Sequence, residues 1–151
     1  MKYISSQKLR ELKKELEERK TILRQQISQR IQEAQDQGDI MENAEYAEAK
    51  EAQSFNEGRI IELKNLINDA VIVSKKRKKN IVQIGSQILI KNKNGKNFRF
   101  TIIGSEDASP LEGKISNESP MGQASLGHKQ GEEIQVQTPK GKIKYKIVKI
   151  T

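Results

Sequence analysis

The sequence predicts an α+β protein of two domains: an N-terminal antiparallel α-helical hairpin and a small C-terminal antiparallel β-sheet domain with one short helix. Three observations carry this. Apolar residues recur at helical spacings through the first half of the chain. After Asn80 the period changes to strand-like alternation, and between the two patterns lies the basic run Ser74-Lys75-Lys76-Arg77-Lys78-Lys79-Asn80. The expected boundaries are 1–74 for the hairpin, 75–82 for a linker and 83–151 for the second domain.

Composition supports an extended element. Of 151 residues, 34% are hydrophobic and 32% charged, thin for one compact core. The chain has no cysteine and one histidine, which excludes disulfides and thiolate zinc sites and argues against an all-protein zinc centre. The N-terminus lacks a signal-peptide pattern, and no apolar run approaches the roughly 18 residues of a membrane span. A soluble, cytoplasmic protein with no membrane partner is expected.

The net charge of +8 is unevenly placed. Residues 1–73 carry 12 basic and 14 acidic side chains, residues 74–80 carry five basic ones, and the remainder has 11 basic against six acidic. Such a balance favours an acidic or nucleic-acid partner without identifying one. Aromatics are only 4%, and no basic stretch is interleaved with stacking residues, so sequence-specific reading of nucleic acid is not the first expectation.

The first helix is read from Leu9, Leu12, Leu16, Leu23, Ile27, Ile31 and Ala34, which form a narrow apolar seam. It contains no proline and ends at Gly38, a usual capping glycine. From Ser6 to Gln37 it would run roughly 45 Å. The second helix is expected from about Asn43 to Val73, with Tyr46, Ala49, Ile60, Leu63, Ile67 and Ala70 on its seam. Folding back near Ile40 brings Ile67 to Leu12 and Leu63 to Leu16 or Glu17, an antiparallel coiled coil. Gln53 and Asn56 then face the region of Arg24 and Ile27, either setting register or tolerating exposure. The basic run reads as a solvated linker, since like charges repel and resist burial.

In the second domain, 87–93 and 97–103 flank Asn94-Gly95, and 134–138 and 142–150 flank Pro139-Lys140-Gly141, giving two hairpins. Between them, Ile115 to Gly127 suits a loop entering a short helix closed by glycine.

The candidate chemistry sits in the break between the helices, at Asp39 and Glu42. Taken by spacing alone, Asp39 with an acid three residues later is a helix N-cap and capping-box variant. Position suggests more, because two carboxylates beside Ile40 and Met41 stand at the end of a rod, away from any core. Magnesium takes one or two carboxylates, keeps waters and shares phosphate ligands, so two acids can complete a metal site belonging to another molecule.

The stretch Gly38-Asp39-Ile40-Met41-Glu42-Asn43-Ala44-Glu45-Tyr46, continuing through Ala49-Lys50 to Glu57-Gly58-Arg59-Ile60, resembles the bacterial transcript cleavage factors of the GreA/GreB family. Ile115-Ser116, Ser119-Pro120-Met121-Gly122, Leu126-Gly127, Gly131-Glu132 and Thr138-Pro139 extend the resemblance over nearly the whole chain. It implies a coiled-coil hairpin followed by an FKBP-like domain, in a factor that binds backtracked RNA polymerase. The hairpin would enter the secondary channel while the second domain holds the channel rim. Asp39 and Glu42 would help the polymerase hold its second Mg ion and orient water, so that the polymerase's own site cuts the nascent RNA near its 3′ end. The factor itself would be no enzyme, would hold no cofactor of its own, and would act as a monomer. By the same matching, Glu118, Ser119, Pro120 and Met121 would grip the rim, although from the residues alone loop and helix-start chemistry is the preferred account of them. Arg19, Lys20 and Arg24 would guide extruded RNA or simply form a solvated face. Lone His128 is read as a surface turn residue.

The chain departs from the family pattern in two places. Arg24-Gln25 stands where an arginine and a proline are common, permitting a straighter first helix, and Gln35 replaces an arginine before the tip, removing a guanidinium contact. Hairpin charge leans toward the GreA type. Two alternatives remain open: a channel-binding inhibitor of the same architecture, against which the acid pair argues, and a peptidyl-prolyl isomerase, for which few aromatics are available.

Overall fold

The computed structural model describes residues 2–38, 43–73 and 80–151. The chain divides into two compact units, one of Leu9–Asp69 and one of Met1–Lys8 with Ala70–Thr151.

The first unit is a helical hairpin. Its outgoing arm comprises α1 (Ser6–Glu18), a π-helical turn at Arg19–Leu23, and α2 (Arg24–Asp36). Its returning arm is α3 (Ala44–Asn68). Leu12, Ile27 and Ala34 from one arm and Ala49, Ile60 and Leu63 from the other are buried, as the seam read from sequence spacing predicts, but Leu66 is buried where the spacing predicts Ile67, and Ile67 is only half-buried. Gly38 has a positive φ of 149° directly after the helix C-cap Gln37, as its position in the sequence predicts.

Two features depart from expectation. The outgoing arm is not a regular α-helix throughout, because Arg19–Leu23 widens to the π form even though no proline is present. Within that turn the Thr21 hydroxyl donates to Glu17 O at 2.7 Å, and Arg19 O accepts from Asn56 Nδ2 at 3.1 Å. Side chains thus supply backbone partners where the helical ladder changes pitch. The returning helix ends at Asn68, not Val73, and Ala70–Ile72 is strand β2. It pairs in parallel with β1 (Lys2–Ile4), an element that helical spacing does not reveal.

The second unit is built on a five-stranded sheet: β3 (Gln87–Asn92), β4 (Asn97–Ile103), β5 (Lys114–Ser116), β6 (Glu133–Thr138) and β7 (Gly141–Ile150), in the order β5-β4-β3-β7-β6. Both predicted hairpins form, β3 with β4 and β6 with β7. The sheet is antiparallel except at one edge, where β5 runs parallel to β4. Alternate residues Ile88, Ile90, Ile102, Ile134, Val136 and Ile147 line the inner face. The short helix α4 (Pro120–Ser125) contributes Met121 and Ala124 to the same core, with Leu126 following it.

Strand β1 is fixed to this unit by side chains as well as by β2. Ser5 donates from its backbone N and its Oγ to the Asp107 carboxylate at 2.9 and 3.1 Å, and Lys2 pairs with Glu106 at 3.1 Å. Gly104 has no room for a side chain, since a Cβ there would overlap Tyr3 O.

Candidate functional site

The chemistry expected at the hairpin tip depends on how the two arms meet. Asn43 is the N-cap of α3: its Oδ1 accepts from Tyr46 N at 3.1 Å. Its Nδ2 donates to Ala34 O, at 2.5 Å, in the last turn of α2. One amide therefore satisfies a free N–H of the returning helix and gives a second donor to a terminal carbonyl of the outgoing one, which also accepts from Gln37 N at 3.4 Å. Asp39 and Glu42 lie outside the described residues. The capping role that spacing offers to Asp39 belongs to Asn43. Sequence reading passed over Asn43 as the approximate helix start. An Asn directly before Ala44-Glu45-Tyr46 is the signal that identifies it.

Below the tip the arms are joined by charge. Glu15 accepts from Arg59 through both carboxylate oxygens, at 2.9 and 3.1 Å, and from Arg19 Nε at 2.8 Å. The Arg59 guanidinium, opposed by partial burial and aided by Arg19, holds the Glu15 carboxyl down at about 2. Arg19 Nη1 also donates to Asn56 Oδ1 at 3.2 Å. Asn56 is 3% exposed and exchanges hydrogen bonds with Arg19, so it is a satisfied buried polar residue and not a tolerated exposed one. It sits one helical turn nearer the base than the fold-back about Ile40 implies, while still lining a groove with Leu23, Ile27 and Phe55. Gln53 is half-buried and accepts from Lys50 at 2.9 Å.

The three basic residues weighed as RNA contacts are placed differently. Arg19 is committed to Glu15 and Asn56, and Arg24 makes a two-pronged pair with Glu57 at 2.7 and 2.9 Å. Lys20, on the π turn, is exposed.

In the second unit, Ser119 caps α4: its Oγ accepts from Gly122 N at 3.1 Å and donates to Ser116 O at 2.6 Å. Pro120 occupies the first helical turn, where its missing N–H costs nothing. Glu118 and Pro120 are exposed on the same turn, whereas Met121 is packed against the core. Gly122 is fixed by space, because a Cβ would overlap Ser116 O. His128 is a half-exposed turn residue whose Nδ1 lies 2.8 Å from Glu132 Oε2. Among the described residues no group of three or more His, Cys, Asp or Glu side chains is arranged to hold a metal, and no helix is long and apolar enough to cross a membrane.

A helical hairpin followed along the chain by a five-stranded sheet unit with a short capped helix defines a two-unit α+β protein. Two family models match nearly end to end: "Transcription elongation factor, N-terminal" over residues 2–72 and "Transcription elongation factor, GreA/GreB, C-term" over residues 77–151. The chain belongs to the GreA/GreB family of bacterial transcription elongation factors. It is 43% identical to the transcription elongation factor GreA of Clostridium acetobutylicum, over 99% of this chain and 96% of that one. With the GreA of Bacillus subtilis the identity is 44%, covering 93% and 90%. Among solved structures, Gfh1 of Thermus aquaticus aligns over 98% of this chain and 96% of its own at 29% identity, with a TM-score of 0.45.

Proposed function

We propose that this factor binds backtracked RNA polymerase, inserts its hairpin into the secondary channel and stimulates the polymerase's own Mg-dependent cleavage of the nascent RNA 3′ end. Asp39 and Glu42 are the residues that would hold the shared Mg. As hard carboxylate donors they suit that ion, and two of them complete a site without forming a tight one. When bound, the ion lowers the pKa of a water and neutralises charge developing on the phosphate. The observation that carries this reading is Asn43. It caps α3 and bonds to Ala34 O of the other arm, so capping that helix requires neither acid.

The second unit would hold the channel rim through the turn of Glu118, Ser119, Pro120 and Met121. There Ser119 sets the backbone of the turn, Met121 anchors it in the core, and Glu118 and Pro120 meet the polymerase. Lys20 is the best placed of the three basic candidates to meet extruded RNA, since Arg19 and Arg24 hold the arms together. The factor acts as a monomer in the bacterial cytoplasm.

The test is addition of the protein to stalled, backtracked polymerase with magnesium. Shortened RNA that regains extension on adding nucleotides is the expected result. Arrest without shortening would mark a channel-binding inhibitor and overturn the cleavage reading.

A further inference from the structure

The sheet of the second unit has two unlike faces. The inner one is the isoleucine-rich core. On the outer one, register places Lys142, Lys144 and Lys146 of β7 beside Gln137, Gln135 and Glu133 of β6, and sets Lys91 of β3 against Lys146. A bulge between Leu89 and Ile90 returns Lys149 to this face opposite Leu89, whose other neighbour is Arg99 of β4. Arg99 and Lys149 line one hollow of about 140 Å³ with Gln87 and Leu89. All six cations are exposed, and Glu133 is the one acid in register with them.

This array is not explained by stability. Lys91 directly opposite Lys146 is a like-charge pair, which costs a sheet free energy. Nor does it protect an edge, the usual use of strand lysines. Strands β3 and β7 are interior, whereas the outward residues of edge strand β6 are Glu133, Gln135 and Gln137.

We propose that this face docks on the phosphate backbone of duplex DNA. Cations on alternate residues of β7 repeat at about 6.7 Å, close to two base-pair steps of about 3.4 Å. The flanking glutamines add neutral donors of the kind that hydrogen-bond phosphate oxygens. Single strands are disfavoured because no aromatic side chain lies here to stack a base. Phe98, Phe100 and Tyr145 all pack against the inner core. Duplex DNA is chosen because a transcription elongation factor works beside it. The proposal does not depend on the cleavage reading, and either can fail alone.

The test is fluorescence anisotropy of a labelled random-sequence duplex with the full chain across a salt series. The parent should bind weakly and without sequence preference. The variant K142Q/K144Q/K146Q should flatten the log–log salt slope by about 2 to 3, as expected for three lost phosphate contacts at roughly 0.9 each. Replacing the same lysines by arginine should restore the slope. Neutralising Lys75, Lys76, Arg77, Lys78 and Lys79 should leave the part of the slope carried by the face. Melting of the triple variant should be equal to or above the parent's, since the Lys91–Lys146 opposition is relieved. An unchanged slope in the triple variant would overturn the proposal. So would loss of all binding on neutralising residues 75–79 alone, or equal competition by polyglutamate, single-stranded DNA or duplex RNA.

Discussion

Arg59 grips Glu15 with two parallel hydrogen bonds, 2.9 Å from Nε to Oε1 and 3.1 Å from Nη2 to Oε2, and so fixes α3 against α1. The Glu15 carboxyl is lowered from 4.5 to about 2, chiefly by this bond to Arg59. A carboxyl with a depressed folded-state pKa stabilises the fold fully above its unfolded value and loses that contribution as pH falls through the folded one. The hairpin should therefore weaken between about pH 4.5 and pH 2. Arg59→Gln should cost about 1 kcal/mol at neutral pH. It should also flatten the acid limb, as measured by urea melts monitored by helical circular dichroism. An acid limb identical to the parent's would show that the pair does not couple to folding.

Asn43 gives a second expectation. Asn43→Ala removes both the cap on Tyr46 N and the bond to Ala34 O and should destabilise the hairpin by about 1 to 2 kcal/mol. Asn43→Asp keeps an acceptor for the cap but loses the donor, so its cost should be smaller than that of alanine. An Asn43→Asp variant as stable as the parent, measured by denaturant melts, would mean that the link to Ala34 contributes nothing, and equal losses in the two variants would mean that the cap contributes nothing.

If the tip acids serve the shared metal, Asp39→Asn and Glu42→Gln should each remove most stimulated cleavage while leaving polymerase binding nearly intact. Neither should change the melting of α3, since Asn43 supplies its cap. Raising magnesium should partly restore activity, because the substitutions weaken capture of a loosely held ion. Cleavage time courses at several magnesium concentrations, beside a binding competition, make the measurement. Undiminished cleavage by Asp39→Asn would sink the metal-assistance mechanism.

Grip and chemistry should separate. Ser119→Ala removes the α4 cap and should cost about 1 kcal/mol, whereas Ser119→Asp retains an acceptor for Gly122 N. Changing Ser119 and Pro120 together should weaken polymerase binding, with cleavage recovering at high factor concentration. If the double variant binds as tightly as the parent, the rim contact lies elsewhere.

Much of this protein was legible in one dimension because its signals are local. The 3.6-residue seam from Leu9 to Ala34, the alternation in β3, β4, β6 and β7, and Asn94-Gly95 between two strands each act over a few residues, where periodicity and turn chemistry dominate. Gly38 and the loop into α4 were readable for the same reason.

What needed the tertiary structure is what depends on partners far along the chain. Nothing local marks Ala70–Ile72 as a strand, for its hydrogen-bonding partner is Lys2–Ile4 and its helical seam reads equally well. The π turn at Arg19–Leu23 is met at Arg19 O by Asn56 of the other arm, a partner that no local pattern links to it. Whether Arg19 and Arg24 are open to ligand was decided by Glu15, Asn56 and Glu57. Register alone, which fixes which side chains share a face, brought Lys91, Arg99 and the β7 lysines together from separate strands. The sequence by itself determined the two long helical arms, the two strand hairpins and the presence of an acid pair between the arms. Only folding decided which charges are neutralised across the hairpin and which remain exposed on the sheet, because pairing energies act between residues that sequence spacing does not bring near.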